Sequence, residues 1–318
     1  SWYFLRYCDA RNDSAPWDRD VLAGWMPVDQ YIGGVEHAIL HLMYARFFTK
    51  AFADIGLLDV QEPFARLFTQ GMVTRDGAKM SKSKGNVVSP RELVDEFGAD
   101  AARCYILYVG HPAEGGDWND KGIEGIARFL ARLWRAAADA AERTDPVEGP
   151  AGEPTAVLRK AHWAIDKVTT DLGERFATHT AIAAVIELVN DITKQRDDLL
   201  ATPDGRSQYR FAAATAGSLI FPFAPHLGSE VYELLTGRRV WEEPWPQADP
   251  ALLAADSVTI VVQLNGKVVD RFEAPAALAE DEQERLARAS QRVAERLDGR
   301  EIVKAIVVPG RLVNLVAR

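Results

Sequence analysis

No uninterrupted apolar run in this 318-residue chain reaches the roughly 18 residues that a membrane-spanning helix needs. A water-soluble, cytoplasmic protein with no membrane partner is therefore expected. Cysteine is scarce. Cys8 and Cys104 lie far apart and form no Cys-x-x-Cys pair, so two reduced thiols in or near the core are expected, not a disulfide framework or a zinc module. Positive charge is in deficit: 37 Lys and Arg face 46 Asp and Glu, for a net charge of −9. That balance argues against nucleic-acid binding over the whole surface, yet leaves room for a local basic face. The chain has no internal repeat and no extended low-complexity tract. Its first residues lack a polar lead-in. Ser1-Trp2-Tyr3-Phe4-Leu5-Arg6-Tyr7 reads as an apolar strand or helix start, neither a signal peptide nor a typical disordered terminus, and so as a cut through the middle of a domain.

What is present is the composition of a globular protein, 47% hydrophobic and 26% charged, with length enough for two or three domains. Residues 28–32 look like a short strand. Gly33-Gly34 follows, and Val35 to Ala53 carries apolar residues at helical spacing, giving a strand–glycine turn–helix unit. Leu67–Thr74 reads as a second strand, and Arg75–Ala78 as a turn. This order suggests a doubly wound α/β arrangement. Ser89-Pro90-Arg91-Glu92 has the form of a capped helix start, ending near Gly98, and Asp100 opens another helix to about Gly110. Helical periodicity then dominates: Gly122–Arg143, Thr155–Arg175, Thr180–Leu200, Ser207–Ile220 and Ala224–Thr236, with a Pro/Gly-rich connection at Thr144–Pro154. Prolines 244, 246 and 250 make Trp241–Pro250 a linker. Beyond it, Val258–Leu264 and Lys267–Glu273 alternate around Asn265-Gly266, a hairpin signal. A charged helix follows over Ala279–Leu297, and two strands flank Pro309-Gly310.

The strongest chemical signal is Lys79-Met80-Ser81-Lys82-Ser83-Lys84-Gly85-Asn86, a cationic loop beside a strand end. Ammonium groups on such a loop can position phosphates and stabilise charge developing at phosphorus, although a lysine-rich turn is ordinarily just a solvated basic loop. The glycines at 33 and 34 would let a ligand approach the backbone where helix N–H groups are unpaired. His37 and His41, four residues apart, share one helix face. A metal site there lacks support: Glu36 precedes the first His instead of following it, and no third ligand is evident, so packed or capping histidines remain the alternative. Near the carboxy end, Arg285, Arg288, Arg292 and Arg296 follow helical spacing and can form one basic stripe, or simply a solvated face.

The order Lys-Met-Ser-Lys-Ser, after an apolar strand and before a helix start, resembles the signature loop of the class I aminoacyl-tRNA synthetases without substitution. The segment Gly33-Gly34-Val35-Glu36-His37-Ala38-Ile39-Leu40-His41-Leu42 resembles the leucyl-specific form of the family's strand–helix unit. Phe221-Pro222-Phe223-Ala224-Pro225-His226 is similar to a turn in the anticodon-type bundle, and residues 261–316 to the leucyl carboxy-terminal module. The resemblance implies a multidomain chain: an α/β Rossmann-like catalytic half-domain over 1–118, an α-helical anticodon-binding-type bundle over 119–246, and a small α+β tRNA-binding domain over 256–318. It implies leucylation of leucine tRNA through leucyl-adenylate, using ATP with Mg2+ and no protein-bound structural metal, by a full-length enzyme that is a monomer. Lys79 and Lys82 would be the catalytic residues. ATP would meet Lys79, Met80, Ser81, Lys82, Ser83, Gly33, Gly34 and Glu36 and, on a looser match, Gln70, Met72 and Val73. Leucine would meet Tyr3, His37 and His41, and tRNA would meet Arg285, Arg288, Arg292 and Arg296. The family's His-x-Gly-His motif and its editing domain are absent from these residues, so this chain alone is expected not to activate leucine. The alternatives are a valyl, isoleucyl or methionyl relative, a non-catalytic tRNA-binding protein, or one subunit of a split enzyme.

Overall fold

The computed structural model describes residues 1–146, 149–253, 257–275 and 278–318. Part of the Thr144–Pro154 connection and the expected start of the terminal domain at residue 256 lie outside them. The chain forms two compact units, Ser1–Pro246 and Gln247–Arg318. Among the described residues, no helix is long and apolar enough to cross a membrane.

The first unit opens with two short helices, α1 (Tyr3–Cys8) and α2 (Arg19–Ala23). The Asp18 side chain caps α2 by accepting from the amides of Asp20 and Val21. Leu5, Trp17, Leu22, Met26 and Leu58 form a small core beneath them. Strand β1 (Tyr31–Gly34) then pairs in parallel with β2 (Leu67–Gln70), placing Gly33 opposite Thr69 and Gly34 opposite Gln70. The connection between them is α3 (Met43–Asp54), entered through a π turn at Ala38–Leu42. The strand–glycine turn–helix unit expected from the sequence is there, with a wider first turn than regular helix.

The single strand expected over Leu67–Thr74 is two strands. β3 (Met72–Arg75) leaves β2 at Gly71 and pairs in parallel with β5 (Gly115–Trp118), while β4 (Ala78–Lys79) pairs antiparallel with β3. Backbone crowding forces the break: a Cβ on Gly71 would lie 2.1 Å from the Gly115 amide nitrogen, so only glycine lets the two chains meet. Gly71 N–H donates to the Pro112 carbonyl at 2.8 Å, and from there the chain turns to its new partner. Helices α4 (Pro90–Phe97) and α5 (Ala99–Tyr108) connect β4 to β5. Pro90 occupies the first turn of α4 as expected, but Ser89 makes no side-chain cap; its carbonyl accepts from Leu93 instead.

The rest of the first unit is helical: α6 (Asp120–Arg143), α7 (Ala156–Thr170), α8 (Thr178–Lys194), α9 (Arg196–Leu200), α10 (Pro203–Ile220) and α11 (Pro225–Thr236). Two helices expected to be continuous are interrupted. Thr155–Arg175 ends in a π turn at Asp171–Arg175, and Thr180–Leu200 breaks at Gln195. α10 is the central helix, with Tyr209, Ala212, Ala213, Ala216, Leu219 and Ile220 buried. Its small residues permit close helix contact: a Cβ on Gly217 would meet the Val231 side chain of α11 at 2.6 Å. Arg210 is buried here. Its Nε donates to the Leu235 carbonyl at 2.8 Å and a terminal nitrogen to the Thr144 carbonyl at 2.9 Å, so one guanidinium satisfies backbone acceptors at the ends of both α11 and α6.

The second unit begins with α12 (Pro250–Leu253), then β6 (Ser257–Leu264), β7 (Lys267–Pro275), α13 (Glu280–Arg288), α14 (Gln291–Leu297), β8 (Ile302–Val308) and β9 (Leu312–Ala317). The strand order is β7-β6-β9-β8, with the β6–β9 pair parallel and the others antiparallel. Asn265 and Gly266 take φ of 50° and 78° and close the β6–β7 hairpin, the left-handed pair that this dipeptide favours. Ile260, Val262, Leu264, Ala287, Val293, Val313 and Leu315 form the core between sheet and helices. The helix expected over Ala279–Leu297 is two. Ser290 ends the first and caps α14, accepting from the Val293 amide while its hydroxyl donates to Asp270 at 2.6 Å.

Candidate functional site

Strand β1 ends in Gly33-Gly34, and the side chains that follow fold back over it. A Cβ on Gly33 would touch the His37 ring at 3.5 Å, and one on Gly34 would fall 2.5 Å from a Glu36 carboxylate oxygen. His41 Nδ1 lies 3.0 Å from the Tyr31 hydroxyl, and its ring stacks on Tyr31 with centroids 5.5 Å apart. Phe64 completes the group, 4.6 Å from Tyr31 and 6.1 Å from His41, and Phe4 lies 5.7 Å from Phe64. Burial first, and then the neighbouring His37, hold the His41 pKa below the usual imidazole value, which favours a neutral, hydrogen-bonding ring. Tyr3 is exposed and stacks on Trp2 at 4.8 Å. The aromatic surroundings of His41 thus come from Tyr31 and Phe64, with Phe4 packed against Phe64, residues that sequence spacing did not single out. Only a contact across α1, β1 and the β2 approach reveals them.

The lysine loop hangs from a braced turn. Asp117 on β5 accepts from the Thr74 hydroxyl at 2.6 Å and from the Gly77 amide at 3.0 Å, and these two bonds hold its carboxyl below the usual carboxylate range. Lys79 sits on β4 opposite Thr74. Lys82–Lys84 form one 3-10 turn, capped by the Ser81 hydroxyl accepting from the Lys84 amide, and Gly85 leaves it at φ 67°. Asn86 closes the loop: its side-chain oxygen accepts from the Ser81 amide at 2.9 Å and its nitrogen donates to the Lys79 carbonyl at 3.4 Å. The Ser81 and Ser83 hydroxyls lie 3.2 Å apart, and Met80 is half-buried. Lys79, Lys82 and Lys84 are exposed, and among the described residues none is in an ion pair. This geometry presents uncommitted ammonium groups from a loop whose backbone is tied to itself, which suits an anionic ligand. Gln70 and Met72 flank Gly71, both exposed, and Val73 is half-buried on β3.

The arginine stripe does not survive as drawn. Because the helix breaks at Ser290, Arg285 and Arg288 stand on α13 and Arg292 and Arg296 on α14. Arg285 pairs with Glu282 at 2.5 Å, Arg288 with Glu284 at 2.7 Å and Arg292 with Asp270 at 3.4 Å. Arg296 differs. Together with Lys267 and Arg300 it lines a cavity of about 330 Å³ that includes no carboxylate among its lining residues.

Comparison with known proteins fits this geometry. The sequence pattern of the family described as tRNA synthetases class I (I, L, M and V) matches residues 17–115, and that of the anticodon-binding domain of tRNA ligase matches residues 155–284. The fold and the lysine loop thus define a class I aminoacyl-tRNA synthetase chain. The leucine–tRNA ligase of Nitratidesulfovibrio vulgaris (strain DP4) is 46% identical over 325 residues, covering 99% of this chain and 39% of that protein. That of Symbiobacterium thermophilum is 43% identical over 351 residues, covering 100% of this chain and 41% of that protein. A crystal structure of the agnB2 LeuRS of Agrobacterium radiobacter K84, in ternary complex with tRNA and LeuAMS, superposes with a TM-score of 0.82 at 35% identity, covering 100% of this chain and 42% of that one. The chain belongs to the leucyl-tRNA synthetase family, and it spans about two fifths of the length of the relatives it matches.

Proposed function

We propose that this chain supplies the lysine loop, the histidine-bearing strand–helix unit and the tRNA-binding modules of an enzyme that joins leucine to its tRNA through leucyl-adenylate. The observation that carries the proposal is the Lys79–Ser83 loop, unpaired in charge and braced by Asp117 and Asn86. In this reading Lys79 and Lys82 stabilise the charge that develops as the leucine carboxylate attacks the α-phosphate of ATP, which arrives with Mg2+. Met80, Ser81 and Ser83 shape the loop. Gly33, Gly34 and Glu36, with Gln70, Met72 and Val73, border the adenosine. His37, His41 and Tyr3 wall the leucine side chain, aided by Tyr31 and Phe64.

The domain layout proposed is a catalytic half-domain over 1–118, an anticodon-type bundle over 119–246 and a tRNA-contacting module over 256–318. Arg285, Arg288, Arg292 and Arg296 are proposed tRNA contacts. The free charges around Arg296 favour that residue, with Lys267 and Arg300, over the three arginines already paired. Alone, the chain is proposed not to activate leucine. Val35, Ile39, Leu40, Met43, Tyr44 and Phe47 stand exposed beside a sheet of only two parallel strands, whereas parallel sheets are stable when covered on both faces.

The test is a hybrid enzyme in which this chain replaces the matched stretch of the N. vulgaris relative. Lys82→Ala in that hybrid is expected to lower kcat for leucine-dependent ATP–pyrophosphate exchange by roughly 100- to 1,000-fold, the usual effect of removing one charge-stabilising donor, with a smaller change in the KM for leucine. A variant as active as the parent hybrid would remove the loop from the chemistry.

A further inference from the structure

The helical part of the first unit contains a basic cavity that the lysine loop and the histidine unit do not involve. About 290 Å³ in volume, it is lined by Arg132, Arg135, Ala136 and Asp139 of α6, Thr193 of α8, Arg196 of α9 and Tyr209 of α10. Spacings of three, four and seven residues put the α6 members on one helix face. The charges divide sharply between floor and rim. On the floor, Asp139 is saturated: Arg196 grips it with two bonds of 2.8 and 2.6 Å, Arg143 reaches it at 2.9 Å, and the Tyr209 hydroxyl donates to it at 3.0 Å. Arg196 is spent as well, since its remaining terminal nitrogen pairs with Asp197 at 2.6 Å. These contacts hold the Asp139 carboxyl below the usual range, led by Arg196, so the floor stays an ion pair and does not neutralise the rim.

The rim cations are uncommitted. Arg132 makes a single long bond, 3.4 Å from a terminal nitrogen to the Asn190 side chain, and its Nε is buried with no hydrogen-bond partner among the described residues. A buried guanidinium N–H without an acceptor is costly, and an oxyanion entering the cavity would supply that acceptor. Arg135, one turn along the same face, is exposed, and no ion pair engages it among the described residues. Counting Arg132, Arg135, Arg143 and Arg196 against Asp139 and Asp197 leaves two positive charges in excess around the cavity. Two guanidinium groups one helical turn apart, over a hydrogen-bonded floor, match the spread acceptors of a tetrahedral oxyanion.

We infer that Arg132 and Arg135 form an oxyanion site that takes a phosphate group. The group comes either from an RNA backbone or from a free phosphate ion. The RNA source rests on the tRNA-binding reading above; the oxyanion site itself does not.

The test uses the full chain labelled with ¹⁵N and two charge-removing variants, Arg135→Gln and Arg132→Gln. Arg128→Gln serves as the control, because Arg128 lies on the same helix outside the cavity and is paired with Glu124 at 3.5 Å. Inorganic phosphate is titrated against the Arg132 Nε–Hε resonance. In parallel, binding of a leucine tRNA transcript is measured at several salt concentrations. A saturable shift of that resonance in the parent chain, lost in Arg135→Gln, supports the site with free phosphate as ligand. A fall of about one in the slope of log K against log salt, in both cavity variants and not in Arg128→Gln, supports the RNA backbone as source. If the parent chain binds no RNA while phosphate still shifts Arg132, the tRNA-binding reading fails and the oxyanion site stands. No phosphate shift together with unchanged salt slopes overturns the inference.

Discussion

Gly71→Ala is the substitution for which the structure gives the sharpest expectation. The added Cβ would lie 2.1 Å from the Gly115 nitrogen, 2.2 Å from the Glu114 carbonyl carbon and 2.6 Å from the Glu114 oxygen, all backbone atoms that cannot rotate away. Ordinary contact would require β3 and the approach to β5 to separate by more than about 1 Å. That movement opens the 2.8 Å bond from Gly71 to Pro112 and the Met72–Gly115 pairing. Overpacking of this kind costs about 1–3 kcal/mol, and each lost backbone bond adds about 1 kcal/mol. The sum is about 4 kcal/mol, or close to a thousandfold in the opening equilibrium. Hydrogen exchange read on peptides spanning 67–75 and 111–118 is the assay, since it reports this junction apart from the helices. Gly125→Ala is the contrast: a Cβ there meets nothing within 4 Å on a helix, so it should stabilise by about 0.5–1 kcal/mol. Protection at the junction within threefold of the parent in Gly71→Ala would show that backbone crowding does not split the expected strand.

Arg210→Met should destabilise the first unit by about 3 kcal/mol in urea unfolding, because the Leu235 and Thr144 carbonyls lose their donor inside the protein; a loss below about 1 kcal/mol would mean water replaces it. Asp117→Asn should make the turn before the lysine loop less dependent on acid. The native Asp117 pKa is depressed, so its contribution is present above the unfolded value of about 4 and fades as pH falls through the lower native value. The stability difference between parent and variant should therefore shrink below about pH 4, and a constant difference across that range would exclude the linkage. In the terminal unit, Arg296→Gln should weaken binding of leucine tRNA and lower its salt slope by about one, whereas Arg285→Gln should have a clearly smaller effect on both, its charge being already shared with Glu282. Equal effects would restore the continuous basic stripe.

Much of the architecture was legible because local signals and tertiary packing agree. The Asn265-Gly266 hairpin, the glycine turn after β1 and, apart from the breaks at Asp171 and Gln195, the helices from Asp120 to Thr236 follow directly from turn chemistry and periodicity. The departures at Gly71 and Ser290 depend on contacts distant in sequence. The break at Gly71 is set by Gly115, and β5 itself, Gly115-Gly116-Asp117-Trp118, has none of the β-branched residues that mark a strand. The interruption at Ser290 depends on Asp270 from β7, a partner that helical spacing over Ala279–Leu297 cannot reveal. At the site the same division holds. The lysine loop and the Gly33–His41 unit were readable as motifs, while Asp117, Asn86, Tyr31 and Phe64, which position them, are found only by seeing what they touch.

If this chain carries the leucine-specific half of an amino-acid-activating site, as proposed, leucine-dependent ATP–pyrophosphate exchange must reveal it. It should be run on the isolated chain and on the hybrid with the N. vulgaris relative, across leucine, valine, isoleucine and methionine. No exchange is expected from the chain alone, and exchange is expected from the hybrid with leucine strongly preferred. Exchange by the isolated chain, or a hybrid that prefers another of the four amino acids, would contradict the proposal.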